Sequence, residues 1–225
     1  MMKKTTILVL MLSTMVFSQE QIVKELGTFT ELKVFNGLLI KVEKSDNARV
    51  VITGIKRGDV VVKNINGIVK ISMKLTEAFS SDEVSVQLYY ADKISIIDGN
   101  EGAIIQVKEV FKQQSVELRA QEGAEIKIRL KVKYLIAKAV SGGRITPKGR
   151  ATNQNLELST GGSYMGYNLE TDQSYVSASS GSVAQVFVNE ILNAKVSLGG
   201  SIYYKGDPTD IITKKIIGGT IKSKD

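Results

Sequence analysis

The sequence predicts an all-β protein: a right-handed parallel β-helix (β-solenoid) of about seven coils with an irregular, partly antiparallel N-terminal strand region. Three observations predict it. A glycine-bearing phrase recurs as Gly123-Ala124-Glu125-Ile126, Gly142-Gly143-Arg144-Ile145, Gly161-Gly162-Ser163-Tyr164, Ser180-Gly181-Ser182-Val183, Gly199-Gly200-Ser201-Ile202 and Gly218-Gly219-Thr220-Ile221, with the anchors 124, 143, 162, 181, 200 and 219 each 19 residues apart. Apolar and polar residues alternate with the period of a strand. The spaces between anchors are too short for a strand plus the crossover helix that a doubly wound parallel sheet requires.

The chain opens on Met1-Met2-Lys3-Lys4, an apolar run from Ile7 to Phe17, and Ser18 ahead of Gln19. That order of basic, apolar and small residues is a secretory signal peptide over residues 1–18, and the run is too short to span a bilayer. Export through the inner membrane is therefore expected, to the periplasm, the cell surface or beyond. No transmembrane segment is expected after cleavage. Lys3 and Lys4 leave with the peptide, so the formal charge falls from +7 to +5. This mild charge is spread along the chain and reads as solubility, with no nucleic-acid footprint. With no Cys, the exported chain depends on burial and backbone pairing alone.

The mature chain divides into a strand-rich part, residues 19–97, and regular coils, residues 98–225, forming one continuous domain over 26–222. In the first part short alternating runs (Leu38, Ile40, Val42; Val50, Ile52; Val84, Val86, Leu88) are separated by turn residues. Asn66-Gly67 between Val60-Val61-Val62 and Ile68-Val69 predicts an antiparallel hairpin, since both residues tolerate positive φ. Thr76 to Asp82 reads as a polar break, and Glu101-Gly102-Ala103-Ile104 as an earlier, looser copy of the repeated phrase.

In the coils, strict 19-residue spacing predicts which side chains face inward. Ile126, Ile145, Tyr164, Val183, Ile202 and Ile221 would form one column. Leu118 and Ala120, Ala137 and Ala139, Leu156 and Leu158, Tyr175 and Ser177, and Ala194 and Val196 would form two more, with Ser177 fitting badly. Gly143, Gly162, Gly181, Gly200 and Gly219 are expected at corners, where positive φ or a missing Cβ is needed. Ser163, Ser182, Ser201 and Thr220 would then make an outward hydroxyl ladder.

The absence of His and Cys removes the Ser-His-Asp triad and imidazole or thiolate zinc sites. Asp98-Gly99-Asn100-Glu101 is the nearest thing to an acidic cluster, and it reads as a solvated turn. The repeated Gly-Gly-Ser corners could be anion nests, but a corner must recur whereas a binding loop is usually singular. Arg57-Gly58-Asp59 spells a receptor tripeptide and is also an ordinary turn. Tyr167 and Tyr203 are expected to point outward close together, making with Ser163, Ser182 and Ser201 a possible contact surface.

Phe29-Thr30-Glu31-Leu32-Lys33-Val34-Phe35-Asn36-Gly37, then Asn66-Gly67 before Ile68-Val69-Lys70-Ile71, and the Gly-Gly-Ser coils resemble the head GIN domain family of auto-transporter adhesins over roughly 26–208. The resemblance implies a β-helix-like envelope protein of Gram-negative bacteria with adhesion proposed, and carries over no catalytic residue. The expected function is a non-enzymatic, adhesin-like module binding a glycan or a surface protein through a broad solenoid face, with no cofactor and no metal. The alternatives are a polysaccharide-active β-helix enzyme and a purely structural envelope component.

Overall fold

The computed structural model describes residues 20–74 and 83–224. The expected signal peptide and the break from Thr76 to Asp82 lie outside the described residues. The strands are β1 (Ile22–Glu25), β2 (Glu31–Val34), β3 (Leu39–Lys44), β4 (Arg49–Gly54), β5 (Val60–Ile65), β6 (Ile68–Met73), β7 (Val84–Tyr90), β8 (Ile96–Gly99), β9 (Ile104–Lys112), β10 (Ser115–Ala120), β11 (Glu125–Ala139), β12 (Arg144–Leu158), β13 (Ser163–Ser179), β14 (Val183–Ser197), β15 (Ser201–Lys205), β16 (Asp210–Ile216) and β17 (Thr220–Ser223). They wind into a β-solenoid of about seven turns.

Each coil contributes one strand segment to each of two walls. The first wall runs β5, β6, β2, β8, β10, then the C-terminal halves of β11 to β14, then β16. The second runs β1, β4, β7, β3, β9, the N-terminal halves of β11 to β14, β15 and β17. The N-terminal strands both continue the solenoid and close it. The β2–β3 coil is sandwiched between β6–β7 and β8–β9. Beyond β6–β7, the antiparallel pairs β5–β6, β4–β7 and β1–β4 cap the end. Asn66 and Gly67, at φ 53° and 78°, turn the expected hairpin.

One corner geometry repeats up the stack. Glu122 and Gly123 sit at φ 52° and 77°, and the Ala124 N–H closes the turn onto the Gln121 carbonyl at 3.0 Å. Two consecutive positive φ values make a type I′ turn, tight enough to send the chain from one wall to the other. The same closure joins Gly143 to Val140, Gly162 to Ser159, Ser182 to Ser179 and Gly200 to Ser197. The second turn residue is the one that donates to the next coil. Gly37 donates to Glu101 O, Gly102 to Glu122 O, Gly123 to Ser141 O, Gly142 to Thr160 O, Gly161 to Ser180 O and Gly181 to Leu198 O, at 2.8–3.2 Å. From Ala103 onward the residue after the turn is small, and where it is Gly it passes close beneath the preceding coil: a Cβ on Gly162 would lie 1.9 Å from the Ala139 carbonyl oxygen.

The stacking corrects the strict 19-residue register at one coil. Ser163 pairs with Val183, 20 residues on, and Val183 with Ser201, 18 residues on. Ser182 therefore stands between Gly162 and Gly200, and Gly181 stands between Gly161 and Gly199 as a positive-φ turn residue. Three expectations change in consequence. Ser182 is buried and donates to the Leu158 carbonyl at 3.1 Å, so it leaves the outward ladder and Val183 takes its place. Val183 is replaced in the interior column by Ala184. Tyr175 and Ser177 face outward, and Val176 and Ala178 fill the core, which removes the bad fit at Ser177.

Among the described residues the inward-facing side chains are apolar apart from Ser182 and one network. Tyr164 is fully buried, and its hydroxyl donates to Gln154 Oε1 at 2.7 Å. Gln154 Nε2 donates to Ser174 Oγ at 2.7 Å, and Thr171 Oγ1 lies 2.8 Å from Ser174 Oγ while donating to the Phe187 carbonyl. Burial pushes the Tyr164 phenol well above its usual pKa, so it stays a neutral donor. The ring fits because Gly166 has no Cβ, which would otherwise sit 2.3 Å from Tyr164 Cε1.

The register makes two anchor glycines unequal. Gly162→Ala drives a methyl into rigid backbone and is expected to cost more than about 4 kcal/mol, whereas Gly181→Ala meets open space and costs only about 1–2 kcal/mol of positive-φ strain. Chemical denaturation of both variants checks this; equal losses would restore the strict period.

Candidate functional site

The outer surfaces of the two walls are ladders, because parallel in-register stacking repeats each outward position one strand higher, about 4.8 Å away. On the first wall, registers align Tyr134, Asn153, Gln173 and Ile191 in one column and Ile136, Asn155, Tyr175, Asn193 and Ile212 in the next. Tyr175 is 46% exposed and Tyr134 42%. The result is an apolar and aromatic strip interleaved with amides. Rings that present a face, beside carboxamides that both donate and accept, suit a flat, hydroxyl-rich ligand.

A charged column runs beside it. Lys33 Nζ lies 3.1 Å from Glu31 and 4.0 Å from Asp98, Arg119 Nε donates to Glu117 at 2.8 Å, and Lys138 Nζ lies 3.8 Å from Glu117. Asp98 is not a solvated turn residue. It is buried in β8 and accepts from Asn100 Nδ2 at 3.0 Å and Gln121 Nε2 at 3.2 Å, while the turn proper holds Glu101 and Gly102. The hydrogen bond from Arg119, aided by the charges of Arg119 and Lys138, holds the Glu117 carboxyl below its usual pKa against the opposing effect of burial.

The second wall carries the tyrosine pair expected from the sequence. Ser163, Val183, Ser201 and Thr220 stack in one column. Two residues along, Gln185, Tyr203 and Lys222 stack in the next. Tyr167 lies where β13 bulges between Gly166 and Glu170. Burial, and then the charge of Tyr203, raise the Tyr167 phenol pKa. Both are partly covered: Lys205 Nζ stands 5.4 Å from the Tyr167 ring centre and Lys224 Nζ 5.0 Å from that of Tyr203. Ser163 and Ser201 are half-buried on this wall, and Ser182 is inside.

The remaining candidates are accounted for locally. Arg57-Gly58-Asp59 is a single 3-10 turn in which Arg57 pairs with Glu20 and donates to the Gly54 carbonyl, and Asp59 pairs with Lys74 at 3.0 Å. The N–H groups of Gly142, Gly161 and Gly181 are spent on the coil-to-coil string and those of Gly143, Gly162 and Gly200 on closing their own turns. Among the described residues no group of three or more acidic side chains could hold a metal. The strip of Tyr134, Ile136 and Tyr175 was missed in the sequence because a single inserted residue turns Tyr175 from inside to outside. The signal for it was the misfit of Ser177 beside the apolar pair Val176 and Ala178.

The model of the family described as "putative auto-transporter adhesin, head GIN domain" matches residues 28–208. No curated protein matches the chain. Among solved structures, a putative adhesin from Bacteroides fragilis NCTC 9343 superposes with a TM-score of 0.80 at 16% identity, covering 92% of this chain and 98% of that one. A putative adhesin from Parabacteroides distasonis ATCC 8503 gives 0.69 at 16%, covering 92% and 98%, and a putative lipid binding protein from the same strain 0.68 at 14%, covering 92% and 96%. These likenesses establish the fold.

Because the Glu117 pKa is lowered on folding, its contribution to stability is present above the unfolded carboxylate value of about 4.3 and is lost as pH falls through the lower folded value. Glu117→Gln should therefore cost stability at neutral pH and little once both forms are below that window. A urea-midpoint series from neutral pH down to about pH 3 tests it; a pH-independent gap would contradict the pairing.

Proposed function

The chain belongs to the putative auto-transporter adhesin, head GIN domain family, and from that premise we propose that it is an exported, non-catalytic adhesion module that holds a glycan chain along the first wall. The observation that carries this reading is the in-register strip of Tyr134, Ile136 and Tyr175 among Asn153, Asn155, Gln173 and Asn193. Tyr134 and Tyr175 stand two strands apart, about 10 Å up the stack. Two rings so placed can lie against the apolar faces of alternate sugars while the amides take hydroxyls between them. A rigid wall supports such contacts without reorganisation on binding, which limits the ordering cost. Export is supported by the basic, apolar and small-residue order of residues 1–18. The Tyr167 and Tyr203 pair is a weaker contact surface, since its own lysines already lie over the rings.

A glycan-binding screen of the mature protein, with cell-surface binding beside it, tests the proposal. Tyr134→Ala with Tyr175→Ala should weaken glycan retention about tenfold or more, as loss of two anchoring rings does, and Tyr167→Ala with Tyr203→Ala should weaken it less. The reverse order would move the site to the second wall. Capture of a surface protein with no glycan bound, or shortened or unsaturated products after incubation with polysaccharide, would overturn the reading.

A further inference from the structure

The second wall carries a block of like charges that the acids among the described residues neutralise only in part. Arg129 of β11 stands in register with Lys148 of β12, and Lys131 stands between Lys112 of β9 and Arg150 of β12. Like charges directly across a strand pair destabilise a sheet. On the first wall acids at Asp98 and Glu157 stand within the comparable column and Glu31 and Glu117 beside it, while like charges stack at its two ends, Lys63 with Lys70 and Lys195 with Lys214. On the second wall, among the described residues, Glu125 takes Lys127 at 3.0 Å, and Glu170 and Asp172 take Arg150 at 3.4 and 2.8 Å. Among the described residues no carboxylate lies within ion-pair distance of Lys108, Arg129, Lys131 or Lys148; Glu109, beside Lys108, is the nearest acid along the chain.

The backbone shapes this block into a groove. The β9–β11 register jumps between Val107 and Val110, so Lys108 and Glu109 bulge out of the ladder. An open depression follows, crossing β9, β11 and β12, bordered by the cations Lys108, Lys127, Arg129 and Lys148, with Thr146 and Gln106 as neutral hydrogen-bonding groups. Its floor is the apolar Ile128 and Val107.

We infer that this groove binds a linear acidic polysaccharide of the uronate class, laid along the solenoid axis across the strands. Arg129 and Lys148 stand one strand apart, about 4.8 Å, and Lys112, Lys131 and Arg150 stack at the same spacing in the column beside them. That suits an extended polymer with one negative charge on each sugar, whose hydroxyls Thr146 and Gln106 can reach. No aromatic side chain stands among the cations to stack a nucleic-acid base. The site is independent of the aromatic strip, which lies on the other wall and has no cation column of this kind between its rings.

Polygalacturonate is the probe, with neutral dextran beside it. The mature protein should bind polygalacturonate and not dextran, with affinity falling steeply as NaCl rises from about 50 to 300 mM. Arg129→Glu with Lys148→Glu should weaken binding by about tenfold or more. Lys195→Glu with Lys214→Glu makes the same change in net charge on the first wall and should leave binding unchanged. Circular dichroism and melting confirm that each variant is folded. Loss of affinity equal in the two charge-reversal pairs would reduce the effect to net charge and overturn the site. So would absence of polygalacturonate binding, or tighter binding of a DNA duplex or of phosphatidylglycerol vesicles with the same sensitivity to Arg129 and Lys148.

Discussion

The hydrogen bond from the second residue of each corner to the coil above it is the constraint on which the structure rests. A type I′ turn aims that N–H along the solenoid axis, and the acceptor is the first turn residue of the next coil. This string fixes the height of each coil and the phase of everything that follows it. Given the phase, a two-residue period assigns each side chain to the core or to an outer wall. The same constraint explains why, from Ala103 onward, the residue after the turn is Ala, Gly or Ser, since it passes against the carbonyl of the coil beneath. A chain with no Cys thereby gains a rigid, repetitive frame from turn chemistry and burial alone.

Repetition also governs how the surface works. A helical protein or a sandwich scatters its outward side chains, but an in-register stack multiplies whatever residue occupies an outward position. Where consecutive coils carry amides and rings, a wall becomes a strip of one chemistry. Where they carry Lys and Arg, repulsion accumulates unless acids interleave. Glu31, Asp98, Glu117 and Glu157 perform that interleaving on the first wall, whereas on the second wall Arg129 and Lys148 stack on each other with no acid interleaved between them. The two walls thus present different chemistries on one frame.

Much of this was legible in the sequence. The I′ hairpin at Asn66-Gly67, the corner glycines and the columns through Leu118, Ala137, Leu156, Ile145 and Ile202 follow from local turn chemistry and alternation. What escaped was one residue of phase. The 20-residue and 18-residue coils on either side of Ser182 sum to two ordinary periods, so the anchors on both sides still fit while Gly181, Ser182, Val183, Tyr175 and Ser177 fall on the wrong side. A glycine at position 181 fits either role, as positive-φ turn residue or as the small residue after it, so composition alone does not separate the two phases. The N-terminal order was hidden for another reason: β2–β3 is sandwiched between coils that come later in the chain, and no local pattern records that insertion.

The phase around Ser182 is the sharpest consequence of the corner string, and the absence of native cysteine makes it directly measurable. Cysteines placed at Ser163 and Val183 should close a disulfide under mild oxidation, because these residues are lateral partners on adjacent parallel strands, within the Cα separation of about 4.4–6.8 Å that a disulfide needs. Cysteines at Ser163 and Ser182, which point to opposite faces, should keep both thiols free. Bonding of the second pair in preference to the first would contradict the account.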